Sequence, residues 1–224
     1  MMKGVLEDHF GKHYGSTKRA HVTCRICHGE FSFADAKACA DCKIHTPGNE
    51  AVCDKVVWKC NSSETEVEVL RLEEFIDNFS RLKAIPSGRK CDLLLVSNDK
   101  IVFCEMTCCQ AKFIEPFEMK DGTPKIGKRN MVRKQLENSI TLLVGVPEIF
   151  DEIKSKSDKE ALFAYREKRK SMDDEVDSLA SERMHSFNVD ILKTMGEPMY
   201  ADMSNGFVLA EIRYPDTYIW GDEK

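Results

Sequence analysis

The chain is 224 residues long, with 42% hydrophobic and 32% charged residues and a formal net charge of -5. That length supports a real hydrophobic core, as one domain with an appendage or as two small ones. No apolar run reaches the ~18 residues that span a bilayer and the N-terminal stretch lacks a signal peptide's apolar region, so a cytoplasmic protein is expected. The negative balance excludes coating of nucleic acid by bulk electrostatics, and a local basic patch is the remaining route to a phosphate backbone.

Taken in order, the chain begins with a short helix expected around residues 5–10. From His21 to Cys60 the composition changes: six of the ten cysteines fall here, with His21, His28 and His45, and leucine is absent. A reducing compartment disfavours disulfides, and a segment so poor in aliphatics needs another source of cohesion. Cys24 and Cys27, then Cys39 and Cys42, form two C-x₂-C pairs separated by eleven residues. Two such knuckles complete a tetrahedral Zn²⁺ site, with His21, His28, His45, Cys53 and Cys60 as substitutes or members of a second site. Residues 1–60 are therefore read as a small Cys-rich, zinc-binding module and 61–224 as an α/β domain.

A short strand is expected at 56–58 and another at 67–72. Phe75, Ile76, Phe79 and Leu82 follow with the spacing of an amphipathic helix over 73–82. Two continuously apolar runs, 93–96 and 101–104, then flank Ser97-Asn98-Asp99-Lys100 and predict a β-hairpin whose strands are covered on both faces. Antiparallel pairing brings Asp92, at the start of one strand, beside Glu105, near the end of the other. Hard divalent cations are held by such carboxylates with water and phosphate oxygens. A Glu directly after an apolar run is also costly to bury without a partner.

Residues 111–134 carry seven basic and three acidic side chains, a basic loop suited to guiding a phosphate backbone. A central helix is expected over 130–146, with Val132, Leu136, Ile140 and Leu143 on its apolar stripe and Gln135 and Ser139 to one side. A short helix over 148–156, a third core strand over 160–166, a charged helix over 171–184, a strand over 207–214 and an apolar end at 218–220 complete the reading.

Asp92, twelve intervening residues and Glu105-Met106-Thr107 resemble the Asp…Glu-x-Lys core of the PD-(D/E)XK nuclease superfamily. The stretch from Lys128 to Leu136 is similar to the helix that follows that strand and brings a Gln or basic residue to the site. The resemblance covers roughly residues 70–169. It implies a restriction-endonuclease-like core, a mixed central sheet flanked by helices, with Asp92 and Glu105 holding Mg²⁺ or Mn²⁺. Gln135 with Lys128, Arg129 and Lys134 would then position the phosphate, and Glu73 or Glu74 would offer a further acid. Thr107 stands where the family has its Lys, and Lys112 is a substitute reaching back from the loop.

Three functions compete on these grounds. The first is metal-assisted hydrolysis of DNA or RNA phosphodiesters, with defence against foreign nucleic acid as a family-level association. The second is a nucleic-acid- or protein-binding module of the same fold without chemistry, which Thr107 favours. The third is a scaffold whose Cys-rich segment contacts a protein partner.

Overall fold

The computed structural model describes residues 1–34, 55–60, 64–86, 88–109, 113–119, 121–167, 201–213 and 216–220. The chain opens with a helix, α1 (residues 2–13), made of the stretches Met2–Val5, Leu6–Phe10 and Gly11–His13, the middle one wound in the wider π register. Strands β1 (Cys24–Cys27), β2 (Glu30–Ala34), β3 (Lys55–Cys60) and β4 (Val67–Arg71) follow, then helix α2 (Leu72–Asp77). The hairpin is β5 (Leu93–Val96) and β6 (Lys100–Cys109), and a two-stranded loop is formed by β7 (Phe117–Glu118) and β8 (Pro124–Lys125). Helices α3 (Gly127–Val144) and α4 (Pro147–Lys154) cross over to β9 (Asp158–Glu167), and β10 (Ala201–Asp202), β11 (Val208–Arg213) and β12 (Thr217–Trp220) complete the order.

Seven of these strands form one mixed sheet in the order β1-β4-β5-β6-β9-β11-β10. From β1 to β6 neighbours run antiparallel, and β6, β9 and β11 are parallel. The expected crossover helix therefore exists, as α3, because parallel neighbours need a long connection. Leu70, Leu94, Val96, Phe103, Phe163 and Leu209 pack against the helices on one face. Their alternates, among them Val69, Leu93, Leu95, Val102 and Leu162, pack on the other face beneath Tyr218 and Trp220. That second cover belongs to a three-stranded sheet, β12-β3-β2. Two covered faces explain why β5 is apolar at every position.

The described part of residues 1–60 is joined to the rest by strand pairing, β1 to β4 and β3 to β12. Helix α1 docks through Met2, Leu6 and Phe10, one residue per turn, and Phe10 meets the rings of Phe75 and Phe79 at 5.4 and 5.5 Å. Met1 offers no side-chain cap. Glu68 of β4, only 6% exposed, takes that role: its carboxylate accepts from the amides of Met2 at 2.8 Å and Lys3 at 3.0 Å. The first amides of a helix lack internal acceptors, and an anion there is favoured further by the helix dipole.

Another buried charge ties the layers together at the hairpin turn. Lys100, 7% exposed, donates to Asp158 at 2.8 Å and Glu160 at 2.6 Å, and its amine lies 5.2 and 5.7 Å from the ring centres of Tyr218 and Trp220. Glu160 also accepts the Tyr218 hydroxyl at 2.5 Å, and the Trp220 indole donates to Ser97 Oγ at 3.2 Å. Burial pulls the lysine pKa down, but its two carboxylate partners outweigh that and hold it above the ordinary value. No described helix is long and apolar enough to cross a membrane.

Two stability predictions follow from these charges. Glu68→Ala lowers unfolding stability by about 2 kcal/mol in urea titration, the scale of a lost charged cap. Lys100→Met strands a pair of acids and costs about 3 kcal/mol. Because the folded-state pKa of Lys100 is raised, its contribution is complete below the unfolded lysine pKa and is lost as pH rises through the folded value. Wild-type stability, followed from pH 8 upwards, falls towards that of Lys100→Met only in strongly alkaline buffer.

Candidate functional site

The register of the hairpin decides where the two candidate acids lie. Leu93 pairs with Cys104 and Leu94 with Phe103, so continuing one step sets Asp92 opposite Glu105. Both alternate with residues of the helix-covered face, Leu94 and Val96 on one strand, Phe103 and Ile101 on the other. Directly opposed side chains on one face of a sheet are close neighbours. The Asp92 carboxylate accepts the Met106 amide at 2.8 Å across the pair. The sheet thus carries two acids side by side at the end remote from the turn.

Helix α3 supplies the third member. Gln135 Nε2 donates to Glu105 Oε1 at 2.8 Å and to the Lys90 carbonyl at 3.4 Å. One turn on, Ser139 Oγ accepts the Cys91 amide at 2.9 Å while donating to the Gln135 carbonyl at 2.9 Å. An i, i+4 pair shares a helix face, so these two polar residues fasten α3 over the segment that leads into Asp92. Glu105 is 9% exposed and Asp92 half-buried. The thiols of Cys91 and Cys104 flank the acids, and burial first, then the charges of Asp92 and Glu105, push both well above the ordinary cysteine value. Neither is a nucleophile near neutral pH.

The backbone around Asp92 is held from two sides. Lys90 is buried and its amine donates to the carbonyls of Pro86 at 3.2 Å and Gly88 at 3.0 Å, closing the loop ahead of the strand. The Leu72 amide donates to the Asp92 carbonyl at 2.9 Å, so the first turn of α2, with Glu73 half-buried and Glu74 exposed, starts beside that residue.

The basic candidates divide. Arg129 forks onto Glu211 of β11, Nε to Oε1 at 2.5 Å and Nη2 to Oε2 at 3.0 Å, and its other arm meets Glu115 of the preceding loop. Glu211 has a side chain 10% exposed. Arg129, expected to bind phosphate, is therefore committed to carboxylates and serves to anchor α3 to the sheet. Lys128 is half-buried and Lys134 exposed on the same helix. The start of α3 leaves no room for adjustment: Gly127 has φ +74°, and a Cβ there would lie 2.4 Å from the Glu115 carbonyl carbon. Thr107 is half-buried, two residues beyond Glu105 and hence on its face. Lys112 lies outside the described residues.

The zinc expectation changes in one respect. Cys24 and Cys27 occupy a β-strand, in which residues three apart point to opposite faces and lie about 10 Å apart along the chain. Cys24 accordingly packs with the helix-side core and Cys27 with the core beneath the small sheet. As placed, the pair does not grip one ion. Burial and then the neighbouring Glu68 carboxylate push the Cys24 thiol up to about 11. Cys39 and Cys42 lie outside the described residues, among which no group of three or more His, Cys, Asp or Glu side chains converges for a metal.

Lys90, Ser139 and Glu211 are the participants that sequence reasoning did not assign. Ser139 shares Gln135's side of the helix. Glu211 follows the apolar run Phe207-Val208-Leu209-Ala210 just as Glu105 follows Ile101 to Cys104. No protein-family model, curated protein or solved structure matches the chain.

The division of the basic residues has a direct test. Arg129→Met leaves a largely buried Glu211 carboxylate without its fork and costs about 3 kcal/mol in denaturant unfolding, whereas Lys134→Met changes stability by no more than about 0.5 kcal/mol.

Proposed function

We propose that the chain is a metal-dependent phosphodiester hydrolase acting on DNA or RNA, with Asp92 and Glu105 as the metal-holding acids. The observation that carries this reading is the opposed placement of the two carboxylates on one sheet face, with Gln135 bonded to one of them. It agrees with the resemblance of Asp92…Glu105-Met106-Thr107 to the PD-(D/E)XK pattern. A carboxylate presents two oxygens with about four lone-pair positions. Two such oxygen donors fit Mg²⁺ or Mn²⁺ better than a softer metal. Bound there, the ion would polarise a phosphoryl oxygen and lower the pKa of a water.

The protein's own contribution is positional. Gln135 orients the Glu105 carboxylate, and the Met106 amide orients that of Asp92. The Lys90 clamp and the Ser139 bond hold residues 90–91 still, which fixes where Asp92 projects. The basic residues of the 113–134 region that remain uncommitted to described acids, Lys125, Lys128 and Lys134 among them, favour approach of a polyanion. Thr107 supplies no cation where the related enzymes have one, and this favours the second reading, a module of the same design that binds without cleaving.

Plasmid nicking in Mn²⁺ decides between the two. The hydrolase reading expects nicking that falls to background in Asp92→Ala and Glu105→Ala. Gln135→Ala, which removes a support rather than a ligand, should cost about 10- to 100-fold. Nicking that survives both acid substitutions overturns the assignment. Metal-dependent retention of DNA or RNA without any nicking establishes the binding module instead.

A further inference from the structure

The stretch that leads into Asp92 carries its own concentration of charge. Between Asp77 and Asp92 stand four basic residues, Arg81, Lys83, Arg89 and Lys90, and no acidic one. Successive turns wind this stretch onto the body: the amides of Phe79, Leu82 and Ile85 donate to the carbonyls of Ile76, Phe79 and Leu82 at 2.9, 2.9 and 3.0 Å. Phe79 and Ile85 are buried in the helix-side core and Leu82 packs against it. With every third residue turned inward, Arg81 and Lys83 are left exposed. Arg89, also exposed, belongs to the loop that the Lys90 amine closes onto the Pro86 and Gly88 carbonyls. Among the described residues no acid forms an ion pair with Arg81, Lys83 or Arg89.

The loop is pinned to α3 beside the two acids. Gln135, bonded to Glu105, also reaches the Lys90 carbonyl at 3.4 Å, and a Cβ on Gly88 would lie 3.2 Å from Asn138 Nδ2. Exposed Lys134 lies one turn from Asn138 on that side of the helix. We infer that the loop of residues 81–89 is a contact surface for a nucleic-acid backbone, with Arg81, Lys83 and Arg89 meeting phosphates and Lys134 continuing the track. The inference rests on the hydrolase reading for the identity of the polyanion. In a chain of net charge -5, cations without interspersed acids mark where phosphates are attracted locally. The flanking acids are Asp77, near the Lys90 amine, and Asp92 itself. Arg129 contrasts with these cations, because its guanidinium is held by Glu211 and Glu115. Gly127 and Asn138 stand about 16 Å apart along the axis of α3, so this surface is separate from the loop that enters the helix at Gly127. Phosphate contacts fix register without reading sequence, and no base preference is expected from them.

The test compares Arg81→Gln, Lys83→Gln and Arg89→Gln, singly and combined, with wild type and Asp92→Ala. A charge-matched control, Lys12→Gln with Lys18→Gln and Lys154→Gln, neutralises exposed lysines elsewhere. Binding of a fluorescein-labelled DNA duplex is followed by anisotropy in Ca²⁺ at several salt concentrations, plasmid nicking in Mn²⁺, and folding by thermal melting. Arg89→Gln should weaken binding about ten-fold and lower the salt slope by about one, and the triple variant should lower it by about two to three. All melts should stay near that of wild type, since the altered side chains are exposed; if the triple variant melts early, the single variants decide. Wild-type affinity and slope in the loop variants, or an equal loss in the control, overturns the inference, and the hydrolase reading stands if Asp92→Ala no longer nicks. Asp92→Ala that still nicks, beside loop variants that lose binding, overturns the metal assignment and leaves the loop in place. Wild-type protein that neither binds nor nicks DNA overturns both.

Discussion

A carboxylate buried in a sheet has to be met by a donor, and the architecture of this molecule is arranged around four such meetings. Glu68 on β4 takes the first amides of α1. Glu105 on β6 takes Gln135, and Glu211 on β11 takes Arg129, both from α3. Glu160 on β9 takes Lys100 and Tyr218, and so draws β12 and the small sheet onto the opposite face. Apolar burial supplies most of the driving force for packing, but it is non-directional. The acids choose which helix lies where and in which register, because a misplaced element leaves an ionised group in a dry environment.

This economy has a consequence for the candidate site. Among the described residues, Glu105 is the one of the four acids opposed across the strands by a second acid, Asp92. Like charges side by side repel. The neighbouring thiols of Cys91 and Cys104, fully enclosed and held protonated, add no compensating charge.

Much of the frame was legible in the residues. The hairpin, the crossover helix and the strands after it follow from period and turn chemistry, and the side of α3 bearing Gln135 follows from a helical wheel. Ends were less readable. The helix expected over 130–146 runs from Gly127 to Val144, because Gly127 admits the positive φ at which the loop turns into it. Pairings between distant segments were not readable at all. That Cys24 and Cys27 sit in a strand follows from their pairing with Leu70 and Val67, a contact invisible to a motif that measures only spacing. Glu211 illustrates the reverse: its setting after an apolar run carried the same signal that singled out Glu105, but its partner, Arg129, lies 82 positions away in the chain.

The cover over Lys100 bears on how the chain reaches this state. The rings of Tyr218 and Trp220 and the parallel pairing of β12 with β3 join segments separated by most of the sequence. During synthesis the hairpin and its amine emerge long before residues 217–220 do. Until those residues arrive, a cation and the apolar backs of β5, β6 and β9 are left facing water or other chains. This layer therefore closes after translation has passed it, and a nascent chain stalled short of β12 would present a sticky, half-roofed sheet, the kind of surface that chaperones recognise.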